Sequence, residues 1–271
     1  MVSAWKNFDF VTYSKSKLVV TIGESWTWGD SLGKTEYKVF DDKEFRLANV
    51  YGGQLANMID ADFLNIAEPG LSNLWITDHF KLFMDNIDDF NYDEIIVVIT
   101  LTEIGREFQG DRDKERNYVN DLKDVTTIKS FFKILSNYIS NNITKTTTDK
   151  IKLFVGTNFI DSNYDFPMLQ KSWVDIIAEK EKLQVSISRP CYVVSSWVFE
   201  KFEDLLDFAP NYKREEYLND MMICTEVATN RTNFLLDSKY NYKKASKHPT
   251  PDGHKLWAEY LYEEYNNDKQ K

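Results

Sequence analysis

The chain has 271 residues, of which 42% are hydrophobic and 28% charged. That is long enough to bury a core without staples and is the composition of a folded protein, not a disordered one. Its 33 Lys plus Arg against 43 Asp plus Glu leave a formal charge of -10, which speaks against a broad phosphate-binding surface, so no nucleic-acid partner is expected. Cys191 and Cys224 are too few for a disulfide scaffold or a cysteine-rich metal site. The histidines are His79, His248 and His254, with no His-x-x-x-His spacing, and there is no Walker or dinucleotide glycine fingerprint; no metal and no cofactor is expected. The start of the chain lacks a signal-peptide pattern, and no apolar run approaches about 18 residues. The expectation is a cytoplasmic protein, or one of a virion or its host cytoplasm, with no membrane partner and an oligomeric state left open.

Apolar and β-branched residues at Lys17–Ile22, closed by Gly23, predict a buried strand. Arg46–Ile59 carries Leu47, Val50, Leu55 and Met58 at helical spacing. Phe63–Ile66 reads as a second short strand ended by Pro69-Gly70, and Ser72–Ile87 as an amphipathic helix with Ser72 a plausible N-cap. Glu94–Leu101 is the most apolar segment and reads as a central parallel strand. Helix Thr126–Ile139, strand Lys150–Gly156, helix Met168–Leu183, a short strand Cys191–Val194 and a closing helix Gly253–Tyr265 follow. Strands alternating with helices indicate an α/β fold with a parallel sheet. The charged stretch 110–124 and the polar, aromatic stretch 211–247 are long for connections and read as insertions in a single domain spanning 1–271.

The first strand runs into Gly23-Glu24-Ser25-Trp26-Thr27-Trp28-Gly29. Sites in parallel α/β sheets lie beyond the carboxyl ends of strands. A serine there, at a helix start, has backbone N–H groups beside it that can stabilise an oxyanion. Ser25 is therefore a nucleophile candidate, against the commoner use of a serine there as a helix cap. Gly29-Asp30-Ser31-Leu32 spells a GDSL string but lies too far past the strand for its tip to hold Ser31. Near the other end, His248-Pro-Thr-Pro-Asp-Gly-His254 sets His248 in a Pro-containing loop. That suits a general base, or a surface loop leading to a helix that Asp252 could cap.

Four blocks in order resemble the SGNH (GDSL-type) hydrolases, and within them a divergent branch common among large tailed phages and their bacterial hosts. They are VVTIGESWTWGDSLG, Asn65-Ile-Ala-Glu-Pro-Gly-Leu-Ser-Asn73, VVITLTEIGRE and HPTPDGHKLWAEYL, and they reach from Val19 to Leu261. The resemblance implies a three-layer α/β/α, flavodoxin-like fold and metal-free ester hydrolysis. Carried over by position, Ser25 is the nucleophile and His248 the base. Ser25, Gly70 and Thr102 line the oxyanion hole. Trp26, Trp28, Asn73 and Arg106 would face the substrate, a small ester or acylated glycan, although for Arg106 a structural ion pair with a neighbouring carboxylate weighs more. His254 is given no chemistry.

The chain departs from the pattern at three places. Glu24 stands for the family's aspartate, Thr102-Glu103 for Asn-Asp, and Ala245 for the aspartate three residues before the histidine. The second removes an amide oxyanion donor, a loss that costs about 2.7–4 kcal/mol of transition-state stabilisation. The third removes the partner that orients the imidazole, a role for which Ser246, Asp237 and Asp252 are candidates. Two readings follow. One is a serine esterase; the other is a weakened or inactive SGNH-type fold serving as a glycan-binding or phage-related structural component.

Overall fold

The computed structural model describes residues 5, 7–30, 32, 42–102, 137, 138, 140–143, 150–158, 168–173, 176, 249 and 251–268. In chain order these give β1 (Asp9–Val11), β2 (Lys17–Ile22), α1 (Ser25–Trp28), α2 (Lys43–Asn49), α3 (Tyr51–Ile59), β3 (Asp62–Asn65), α4 (Asn73–Asp85), β4 (Glu94–Leu101), β5 (Ile151–Thr157) and α5 (Pro251–Asp268). The five strands form one sheet in the order β1-β3-β2-β4-β5. β3, β2, β4 and β5 run parallel, with Ile22 opposite Ile99 and Leu101 opposite Thr157, while β1 pairs antiparallel on the edge of β3.

Alternation along the strands divides the core between two faces. Leu18, Val20, Ile22, Leu64, Ile95, Val97 and Ile99 point to one face, where Ile76, Phe80 and Phe83 of α4 cover them. Val19, Phe63, Ile96 and Val98 point to the other, under Tyr51, Leu55 and Ile59 of α3 and Trp257, Ala258 and Leu261 of α5. A strand covered on both faces needs apolar residues at every position, which explains the unbroken runs in β2 and β4. The result is a three-layer α/β/α fold with a mainly parallel central sheet. Among the described residues no helix is long and apolar enough to cross a membrane.

Several elements differ from the sequence expectation. The helix expected over Arg46–Ile59 is two helices, broken at Val50, whose backbone is extended (φ -68°, ψ 148°). Gly52 lets α3 sit close on the sheet, since a Cβ there would come within 2.6 Å of Thr21 Cγ2. Ser72 does occupy the N-cap position of α4, but its hydroxyl makes no cap bond. The stretches 110–124 and 211–247 and the strand expected at Cys191–Val194 lie outside the described residues, as does most of each helix expected over Thr126–Ile139 and Met168–Leu183.

Candidate active site

β2 is followed in sequence by β3 on one side of it, and β4 by β5 on the other. The connections therefore diverge between β2 and β4, and the carboxyl ends of strands at such a switch point are where α/β sheets bind ligands. The residues that follow the parallel strands lie at that edge of the sheet. Gly23, Glu24 and Ser25 follow β2; Glu68, Pro69 and Gly70 follow β3; Thr102 follows β4; and Asn158 follows β5. Cross-bonds tie the ends in two pairs: Glu68 N–H donates to Gly23 O (3.2 Å) and Asn158 N–H to Leu101 O (2.9 Å).

The turn after β2 is tight. A Cβ on Gly23 would run into the Thr27 side chain and come within 3.0 Å of Thr100 O, so glycine is the residue that fits. Helix α1 is capped by Glu24, whose side chain accepts from Trp26 N–H (3.0 Å). Ser25 is thus the first helical residue and not the cap, which removes the capping alternative for its hydroxyl. That hydroxyl donates to Glu24 Oε2, and Asn158 Nδ2 donates to Glu24 Oε1. Ser25 is 4% exposed, and the groups bonded to it are polar, not packed hydrocarbon.

Asn73, expected at the substrate, is fully buried at the start of α4. Its Oδ1 accepts from Thr102 N–H (2.8 Å) and its Nδ2 donates to Thr102 O (3.1 Å). The side chain thus acts as a short strand edge that continues the hydrogen bonding of β4 past Leu101. Thr102 N–H is thereby occupied, and any help it gives an oxyanion must come from its hydroxyl. Gly70 lies in an exposed turn with φ +79°, a left-handed conformation that suits glycine.

The two tryptophans beside Ser25 part company. The Trp26 ring is 4% exposed and meets Trp173 edge-on at 5.4 Å, so an aromatic partner in the core takes the place expected for a sugar. Trp28 is half-buried, and the Arg46 guanidinium lies 3.8 Å from its ring centre. Arg46 is 2% exposed; it pairs with Asp9 (2.7 Å) and donates to Trp28 O (3.0 Å).

His254 is fully buried on α5. Its Nδ1 accepts from Tyr51 N–H (3.2 Å), which places the proton of the neutral ring on Nε2. Trp173 packs edge-on against it at 4.8 Å. The Tyr51 hydroxyl shares a hydrogen bond with Thr100 Oγ1 (2.8 Å) and reaches Thr27 Oγ1 (3.5 Å). Burial holds that phenol far above its ordinary pKa, although the threonine bonds oppose the shift, so Tyr51 stays protonated and serves as structure. Through Tyr51 the start of α5 is linked to both α1 and β4.

His248, Arg106, Ser31, Glu103, Asp237, Ala245 and Ser246 lie outside the described residues. Pro249, next to His248 in sequence, is buried, and Asp252 is exposed in the first turn of α5. Among the described residues no group of His, Cys, Asp and Glu stands close enough together to hold a metal. Sequence reasoning missed Asn158 as a site residue; its signal was its position, a polar residue immediately past a parallel strand. It also missed Arg46 and Asp9, which are far apart in sequence.

No family model matches the sequence, and no curated protein does. Among solved structures the chain is similar to a protein assigned to the G-D-S-L lipolytic family from Desulfitobacterium hafniense DCB-2, at 13% identity and a TM-score of 0.39 over 92% of this chain and 99% of that one. It is also similar to a family two carbohydrate esterase from Clostridium thermocellum, solved with cellohexaose, at 16% identity and a TM-score of 0.40 over 96% of this chain and 66% of that one. A third is a protein assigned to the SGNH hydrolases from Slackia heliotrinireducens, at 13% identity and a TM-score of 0.30 over 92% and 98%. Solved structures similar to this chain thus include SGNH hydrolases and a carbohydrate esterase.

Proposed function

We propose that the protein is a serine esterase of SGNH type that removes an acyl group from a carbohydrate or another small ester. The observation that carries this reading is the position of Ser25. It opens α1 directly past β2, at the point where the sheet's connections diverge, and Glu24 takes the capping role that would otherwise explain a serine there. In this mechanism Ser25 Oγ attacks the acyl carbon and its proton passes to His248. The oxyanion is met by backbone N–H groups of Ser25 and Gly70 and by the Thr102 hydroxyl. His248 then returns the proton to the leaving alcohol, and water repeats the sequence on the acyl-serine to release the acid. Trp28, Arg106 and the exposed Gly70 turn belong to the substrate side in this reading, and the phage and host-bacterial branch is its source assignment.

The purified protein turns over p-nitrophenyl acetate under this proposal. Ser25→Ala and His248→Ala reduce turnover to background, while Ser31→Ala keeps it. Equal turnover by Ser25→Ala and the unaltered protein refutes the assignment. The low exposure of Ser25 (4%) and the engagement of Thr102 N–H with Asn73 favour the second reading, a glycan-binding or assembly component without turnover. Binding of an acylated oligosaccharide without release of its acid would select that reading.

A further inference from the structure

Glu24 does more than cap a helix. Capping uses Oε1, which accepts from Trp26 N–H. It needs neither the bond from Ser25 to Oε2 nor the bond from Asn158 to Oε1. All of these groups are buried, with Glu24 and Asn158 fully so. A serine hydroxyl has one proton to give, and at rest Glu24 receives it, which fixes the rotamer of Oγ until that proton turns from Glu24 to His248 for the attack. Asn158 holds its place at a cost: its Oδ1 is buried and, among the described residues, makes no hydrogen bond. Turning the amide over would set that oxygen against the Glu24 carboxylate. The bond to Glu24 therefore keeps the amide in an orientation that leaves an acceptor unmet, and an unmet buried acceptor in an otherwise bonded site marks a functional constraint.

We propose that Glu24 and Asn158 are a positioning pair for the Ser25 hydroxyl, with Asn158 fixing one oxygen of Glu24 and Glu24 fixing Oγ through the other. The inference rests on the reading of Ser25 as nucleophile and deepens it. It also gives the departure from aspartate a purpose. The extra methylene of glutamate lets the carboxylate of residue 24 fold back onto its own neighbour while still reaching Asn158, just past β5.

Glu24→Gln separates positioning from capping. Its amide oxygen keeps the bonds from Trp26 N–H and Asn158 Nδ2, so its Nε2 falls at Ser25 Oγ and donates where the carboxylate accepted. With a fluorophosphonate probe, the expected labelling rate at Ser25 falls about 100-fold, as for a nucleophile displaced from its productive geometry, with the thermal midpoint within about 3 °C of the unaltered protein, the shift of about 1 kcal/mol. Asn158→Ala slows labelling in the same direction. The double variant is no slower than Glu24→Gln alone, because the two act through one contact. A folded Glu24→Gln that labels at the unaltered rate overturns the proposal.

A second measurement does not depend on activity. In proton NMR the unaltered protein shows an exchange-protected hydroxyl signal that disappears in both Ser25→Ala and Glu24→Gln. Absence of that signal in the unaltered protein overturns the pair whatever the labelling result. Its presence in a protein that no probe labels supports the pair and sinks the esterase reading instead.

Discussion

Removing the Asn73 side chain tests how the end of β4 is held. In Asn73→Ala, Thr102 N–H and C=O both lose their bonds to the Asn73 amide at a position 2% exposed. A buried backbone group left unpaired costs about 1–3 kcal/mol, and two of them about 2–6. Because the cavity left by the amide can admit water and recover part of that cost, the expected loss is about 3 kcal/mol. For a chain of this length that is a fall of roughly 5 °C in thermal midpoint. Urea unfolding followed by tryptophan fluorescence reads the loss as a shift in midpoint at constant slope. Asn73→Asp gives the sign. Its carboxylate still accepts from Thr102 N–H but turns an oxygen toward Thr102 O, so this variant is as unstable as the alanine at pH 7. It recovers part of the loss near pH 4, where a protonated carboxyl can donate. A loss under about 0.5 kcal/mol in Asn73→Ala, the range of an ordinary surface change, would refute the reasoning.

Three further outcomes follow from the packing. Asp9→Asn leaves the buried Arg46 guanidinium without its carboxylate and costs about 3 kcal/mol at neutral pH. Burial alone would raise the Asp9 pKa, but hydrogen bonds from Lys43 and Arg46 and their charges outweigh it and hold the carboxyl below its usual value. Its contribution is thus present above the unfolded value of about 3.9 and is lost as pH falls through the lower folded one, so acid titration of stability below pH 4 is steeper in the unaltered protein than in Asp9→Asn. Gly23→Ala forces a Cβ onto the Thr27 side chain and costs about 1–3 kcal/mol, with loss of labelling at Ser25 beyond what the stability change explains. Trp173→Ala opens a void among Trp26, Tyr51, His254 and Trp257 and leaves Gly253 O without its 2.9 Å donor; chemical denaturation reads a loss of about 3–5 kcal/mol, against about 1 for Trp173→Phe.

β2 and β4 have the bounds their apolar runs announce, Lys17–Ile22 and Glu94–Leu101, because a strand buried on both faces writes itself into every residue. β1 was not legible. It has three half-buried residues on a sheet edge, with no alternation to read. The break at Val50 was hidden because apolar spacing carries across it; only the extended backbone of that one residue separates α2 from α3. At the site, the position of Ser25 past a strand tip could be read from Gly23 and the helix that follows. What holds the Glu24 carboxylate that its hydroxyl touches could not, since Asn158 reaches Glu24 from a strand end 134 residues away. Asn73 belonged to a recognisable block, yet its partner lies past another strand, and only coordinates turn its amide from the substrate to the Thr102 backbone. The tryptophans show the same limit: Trp26 and Trp28 are two residues apart, and one packs on an indole while the other stacks on a guanidinium.

The most direct measurement is mass-spectrometric mapping of the residue that a fluorophosphonate probe modifies in the full chain. A single adduct on the peptide bearing Ser25, absent from Ser25→Ala, is the result predicted by a nucleophile held at the tip of β2. An unmodified protein, or an adduct carried by Ser31, contradicts it.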